Sequence, residues 1–230
     1  MRCASPIVLA AMTVSAAIFV DAPLAASAAK LPSWLAVGAA TVSATLGVLG
    51  LAVAVAAVVL SLAPSVAGHS VRVVRHTASA AMLVAVSAAA SLASAGLLKH
   101  VVGRIRPSTQ GADPWRFELM AFDDDFAAWP SVQAAVAAAV VLSVSMRLPR
   151  WRLPLLIVGV VACLARVLAG AHWPSDVMSG WALGAAMLAV AGGLAVASAP
   201  AGAQTRNPCS PAAAAANPCS ARANPCSAKA

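Results

Sequence analysis

The chain has no tyrosine and seven acidic residues, and charged residues make up only 10% of its 230 positions. Soluble domains carry about 25% charged residues, so this chain lacks the polar cover that a water-facing surface needs. Intrinsic disorder is excluded for its bulk, because disorder requires low hydrophobicity and high charge. The lack of tyrosine and of polar–apolar alternation argues against an outer-membrane barrel, whose strands alternate and whose rims carry aromatic girdles. The cysteines are Cys3, Cys163, Cys209, Cys219 and Cys226. They form no Cys-x-x-Cys pair and no Cys/His ligand spacing, so no disulfide framework or metal site is legible.

What is present is apolar. The hydrophobic fraction is 61% and the mean hydropathy +0.87, the composition of a helical membrane protein. A span needs about 20 apolar residues. Six stretches are read as spans: Pro6–Ala26, Trp34–Ala63, Thr77–Val102, Ser131–Met146, Leu153–Gly170 and Asp176–Ser198. The expectation is an all-α, six-helix transmembrane bundle.

Three regions follow. Residues 1–30 hold a first transmembrane helix or a signal-like segment. Arg2, the apolar run to Val20 and Ala26-Ser27-Ala28 also suit a secretory signal with its cleavage site. Residues 31–199 form the membrane domain. Residues 200–230 are low complexity, with Asn-Pro-Cys-Ser at Asn207–Ser210, Asn217–Ser220 and Asn224–Ser227, and are read as a disordered tail.

The net charge of +8 fits membrane topology rather than nucleic acid, because the cations sit at the ends of apolar runs. With the N-terminus inside, the cytoplasmic segments hold Arg2, Arg72, Arg75, Arg147, Arg150, Arg152, Arg206, Arg222 and Lys229. The opposite face holds every acidic residue. The positive-inside rule then puts both termini in the cytoplasm, in a bacterial inner membrane with the far face toward the periplasm.

Charge is costly inside a bilayer, so charged groups at helix ends require an explanation. Lys99 and Arg106 close the third span, Pro130-Ser131-Val132-Gln133 opens the fourth, Arg166 lies near the end of the fifth, and His172 and Asp176 lie in the turn into the sixth. Alternating topology puts all of them at the non-cytoplasmic face. Three cations suit the oxygens of a phosphate, arginine in bidentate fashion. The start of the fourth helix adds free backbone N–H groups beside the Ser131 hydroxyl. A neutral imidazole attacks phosphorus when its other nitrogen is held. His172 and Asp176 are four apart, on one face of a helix, so Asp176 is expected to orient the ring and stabilise its developing charge. Lysine and arginine supply the positive charge, so neither a metal nor a cofactor is required.

These residues carry a resemblance. Lys99-His-Val-Val-Gly-Arg-Ile-Arg106-Pro107 and Arg166-Val-Leu-Ala-Gly-Ala-His172-Trp-Pro-Ser-Asp176 resemble the first and third signatures of the type 2 phosphatidic acid phosphatase (PAP2) family. The resemblance covers about Thr77 to Ser198 and implies a six-helix membrane fold. It implies phosphate binding by Lys99, Arg106 and Arg166, attack by His172 with Asp176 as its partner, and hydrolysis of lipid phosphates or diphosphates through a phosphohistidine. It implies membrane lipid as the partner and gives no oligomeric state.

The second signature departs. The family reads Pro-Ser-Gly-His, and this chain has Pro130-Ser131-Val132-Gln133. The family histidine protonates the leaving oxygen, and glutamine does not titrate. General acid catalysis contributes about 10²–10⁴-fold. Three readings stay open: a slow enzyme with Gln133 as a neutral donor, an enzyme for substrates with a good leaving group, or a protein that binds lipid phosphate without turnover. A small transporter or scaffold is a further alternative of another class. Elsewhere, Arg104 is read as a surface charge, His100 as interfacial, Asp123–Asp125 as a solvated loop, Trp173 as a membrane anchor, and Gly96, Gly159 and Gly180 as packing positions.

Overall fold

A computed structural model of the chain describes residues 6–62 and 71–197, with side chains described over 12–59 and 80–195. The Asn-Pro-Cys-Ser tail, His69 and His76 lie outside the described residues or side chains. The chain divides into two units, Met1–Gly193 and Leu194–Ala230; of the second, only the end of the last helix is described. Among the described residues there are seven α-helices: α1 (Pro6–Phe19), α2 (Asp21–Ala28), α3 (Ser33–Leu62), α4 (Val71–Val102), α5 (Val132–Arg147), α6 (Arg152–Leu168) and α7 (Pro174–Ala197).

The all-α expectation holds. Among the described residues four helices are long and apolar enough to cross a membrane: Ser33–Val59, Ala80–Val102, Pro149–Leu168 and Pro174–Ala195. Two expected spans come out differently. The first breaks at Val20 into α1 and α2, where Pro23 lacks the N–H that would reach the Phe19 carbonyl. The fourth is the 16-residue helix α5, whose length of about 24 Å is short of the roughly 30 Å hydrocarbon layer.

That short helix is the centre of the bundle. Ala135, Ala138 and Ala139 of α5 are completely buried, while α3 turns large side chains such as Val48 and Leu49 outward. Such an outward face suits lipid. Ala54 and Ala57 of α3, Val84, Ala85 and Ala88 of α4, and Val140 of α5 form one core cluster. Two buried hydroxyls return to their own helices: Ser87 donates to the Leu83 carbonyl at 2.7 Å and Ser143 to the Ala139 carbonyl at 2.6 Å.

Small residues let α7 approach α5 closely. A Cβ on Gly180 would meet the Ser131 carbonyl, and one on Gly184 would overlap the Ala135 carbonyl and lie 2.8 Å from the Ala138 Cβ. Gly159 of α6 receives the Trp181 ring. Gly96 has open space around it, so its expected packing role is not borne out, and Gly184 takes a place the sequence reading did not assign. Gly184→Ala should therefore lower stability by about 1–3 kcal/mol through overpacking, read as a fall in the thermal midpoint of detergent-solubilised protein. Gly96→Ala should leave that midpoint unchanged. Equal midpoints for the two variants would sink this account of α5–α7 packing.

Candidate active site

The segment between α4 and α5 builds the site end. Gly103 follows α4 with a φ of 57°, and a Cβ there would collide with the Glu118 carbonyl. Glycine therefore permits the turn and the close return of the chain. Arg104 and Phe117 form a single antiparallel bridge, and the Arg106 N–H donates to the Asp125 carbonyl at 2.8 Å. Asp123 caps the turn at Asp124–Phe126 by accepting from the Asp125 N–H at 3.1 Å. This acidic loop, expected to be merely solvated, positions Arg106, whose Nε donates to the Asp124 carbonyl at 2.6 Å.

The third-signature residues meet where α6 turns into α7. Arg166 lies in the last turn of α6, and Asp176 lies in the first turn of α7. His172, between them, is 5% exposed. Its Nδ1 is 2.7 Å from the Ala128 carbonyl and its Nε2 is 2.9 Å from Arg166 Nη2. A carbonyl only accepts and a guanidinium only donates. The proton is therefore assigned to Nδ1, leaving the Nε2 lone pair toward Arg166. Burial, reinforced by Arg166 and more weakly by Arg106 and Lys99, pushes the imidazole down to about 3 despite the opposing pull of the Ala128 carbonyl. The ring is neutral at physiological pH.

The expected His172–Asp176 hydrogen bond is not made. Nδ1 lies 3.9 Å from Asp176 Oδ2, beyond bonding distance, because Ala128 holds the ring and the carboxylate is engaged elsewhere. Asp176 Oδ1 accepts from Arg104 Nη1, and Oδ2 accepts from the Trp173 N–H at 2.8 Å. The Asp176 carbonyl accepts the Ser131 N–H at 3.1 Å, which ties the start of α5 to the start of α7.

Ser131 precedes α5 with extended backbone, and its Oγ is buried without a hydrogen-bond partner, as is Arg166 Nε. Two unsatisfied buried donors of this kind need an explanation, and a bound anion would satisfy both. Gln133 turns toward α3, where Ser43 Oγ donates to its Oε1 at 3.3 Å. Gln133, Arg166, Ser43 and Cys163 line a cavity of about 20 Å³, large enough for one water. From Gln133 an apolar groove of about 340 Å³ runs between α3, α4 and α5, lined by Gly47, Leu51, Leu92 and Val136 among others. Lys99 is half-buried in the last turn of α4. His100 stacks on Phe122 at 5.3 Å and lies 3.4 Å from the Ala121 carbonyl.

Two expectations are overturned. Arg104 is no surface charge: it is 3% exposed, between the Phe117 and Trp173 rings at 5.7 and 5.6 Å, and bound to Asp21 and Asp176. Trp173 is no membrane anchor: it is 3% exposed and donates to the Ile105 carbonyl at 2.8 Å. The missed signal was Asp21, a carboxylate inside an apolar run that needs a cationic partner.

Comparison with known proteins points to one family. Two curated relatives are both lipid A 1-phosphatases. The one from Rhizobium johnstonii is 33% identical over 93 residues, 40% of this chain and 38% of that protein. The one from Rhizobium etli is 33% identical over 92 residues, 39% of each chain. This chain thus matches about two fifths of the length of each. The crystal structure of a transmembrane PAP2-type phosphatidylglycerolphosphate phosphatase from Bacillus subtilis shares the fold, with a TM-score of 0.54 and 18% identity, covering 84% of this chain and 96% of that one. The PAP2 superfamily model matches residues 80–194, half of the chain and the whole stretch from Lys99 to Asp176, and the chain belongs to the PAP2 superfamily.

Proposed function

We propose that this protein removes phosphate from a membrane lipid through a phosphohistidine on His172. The observation that carries the reading is the state of the ring: neutral, protonated at Nδ1 by its bond to Ala128, with the Nε2 lone pair toward a guanidinium. In the first step a substrate phosphate takes the place of that lone-pair contact, and Arg166 turns to its oxygens with Lys99 and Arg106. Nε2 attacks phosphorus, the phosphorus–oxygen bond to the lipid breaks, and the leaving oxygen takes a proton from a water, which becomes hydroxide. The ring is then a cation, with Asp176 at 3.9 Å from Nδ1 as its counter-charge. A second water next attacks phosphorus and gives a proton to that hydroxide, the nitrogen–phosphorus bond breaks, inorganic phosphate leaves and the neutral ring returns.

Gln133 sets the substrate class. It donates a hydrogen bond but not a proton, which favours leaving oxygens that need little protonation. A diphosphate, which expels a lipid monophosphate, and an anomeric sugar phosphate, as in the relatives' lipid A, both meet that condition. The apolar groove ending at Gln133 suits a lipid chain.

The site lies at the non-cytoplasmic face in this reading. α5 runs from Ser131 at the site to Arg147, and α6 returns from Arg152 to Arg166, so the Arg147–Arg152 loop marks the opposite, cytoplasmic end. α1 and α7 also lead away from the site end, which supports cytoplasmic termini and six membrane-embedded segments with α5 shielded inside.

The test is phosphate release by purified protein in detergent from phosphatidic acid, phosphatidylglycerol phosphate, a lipid A 1-phosphate and a polyprenyl diphosphate. The diphosphate or the 1-phosphate should exceed phosphatidic acid by at least tenfold in kcat/KM. A second reading, binding without turnover, is favoured by the Ser43–Gln133 contact that replaces an acid; binding with no release from any member of the panel would establish it.

A further inference from the structure

We infer that Asp21 is a positioning residue of this site, and that the N-terminal segment carrying it belongs to the working protein. The inference rests on His172 as nucleophile. Asp21 opens α2, outside all three signatures, yet it is completely buried. Its Oδ1 accepts the Ser175 N–H at 2.9 Å. Its Oδ2 accepts from Ser175 Oγ and, at 2.7 Å, from Arg104 Nη2. Ser175 Oγ in turn accepts from Arg104 Nη1 at 2.7 Å. Residue 21 thus holds the residue before Asp176 by both main chain and side chain, across 154 positions of sequence.

Charge explains why this matters to the reaction. Arg104 and Asp176 alone form a formally neutral pair, and such a pair offers little to a cation forming 3.9 Å from the carboxylate. Asp21 supplies the second carboxylate on the same guanidinium. With both carboxylates ionised, the cluster carries one formal negative charge beside the imidazolium that phosphorylation creates, in a buried setting where charges interact strongly. Asp21 also keeps Arg104 from drawing Asp176 away, since the guanidinium is shared between two acceptors. If the segment were removed as a signal after Ala28, Arg104 Nη2, the Ser175 N–H and the Ser175 hydroxyl would all lose their acceptor, an expensive outcome for buried donors.

The test compares kcat and KM for the wild-type chain, Asp21→Asn, Asp176→Asn and the double variant, on the lipid phosphate that the wild type turns over fastest. Asp21→Asn should lower kcat at least tenfold and leave KM within threefold, because Asp21 touches none of the phosphate-binding cations. In the Asp176→Asn background the same change should cost less than threefold, since the counter-charge that Asp21 supports is already gone. Ser175→Ala, which keeps both carboxylates, should retain more activity than Asp21→Asn and serves as the gentler variant if the latter misfolds. The intact mass of protein purified from membranes should include Asp21. Wild-type kcat in Asp21→Asn, additive losses in the double variant, or an active mature chain beginning after Ala28 each overturn the inference. An inactive wild type refutes the nucleophile reading, and this one with it.

Discussion

His172→Ala is expected to lower phosphate release by at least about 10³-fold, the scale on which removing a covalent nucleophile acts. The ring has one nitrogen committed to Ala128 and the other with its lone pair toward Arg166, and its surroundings hold it neutral. Loss of the ring leaves Lys99, Arg106 and Arg166 in place, so phosphate binding should survive with KM changed by less than about tenfold, and the loss should fall on kcat. The same state fixes the pH profile. A ring pushed down to about 3 keeps its lone pair above that value, so its own titration leaves the rate unchanged there. Once corrected for ionisation of the substrate, the His172 ring itself should add no acid limb to kcat/KM between about pH 8 and pH 4. More than a tenth of wild-type activity in His172→Ala would remove the phosphohistidine from the scheme.

The second large effect is a gain. Gln133→His should raise kcat on phosphatidic acid at least tenfold, within the roughly 10²–10⁴-fold scale of general acid catalysis. Histidine places a nitrogen near the present Nε2, beside Arg166 in the small cavity, where it can protonate the departing alkoxide. On a diphosphate the gain should be below about threefold, since a phosphate leaving group needs little help. The contrast between the two substrates is the diagnostic result. Equal gains would point to repacking against Ser43 and Gly47, and no gain on phosphatidic acid would show that proton delivery to the leaving group does not limit the rate.

Much of this molecule was legible before its fold. Composition alone excluded a soluble domain, because 10% charged residues cannot cover a water-facing surface. The spacing of Arg166, His172 and Asp176 marked a helix end, a turn and a helix start, since short-range geometry follows from local sequence. That reading carried the PAP2 family, and the Arg166, His172 and Asp176 it singled out do lie together where α6 turns into α7. Local sequence also suggested a His172–Asp176 bond from their four-residue spacing, and there it failed. Pro174 starts α7 only after His172, so the two residues are not on one helical face, and the ring turns to a carbonyl 44 positions away.

What the tertiary structure alone decided is the set of partners that come from far along the chain. Ala128 orients the ring, Asp21 and Asp176 share Arg104, and Gly184 admits the Ala135 backbone. Periodicity and motif spacing report neighbours within a helix turn or a loop, while a buried charge must find its counter-ion wherever packing brings one. An apolar stretch with a single aspartate announces that such a partner exists; only the folded bundle names it.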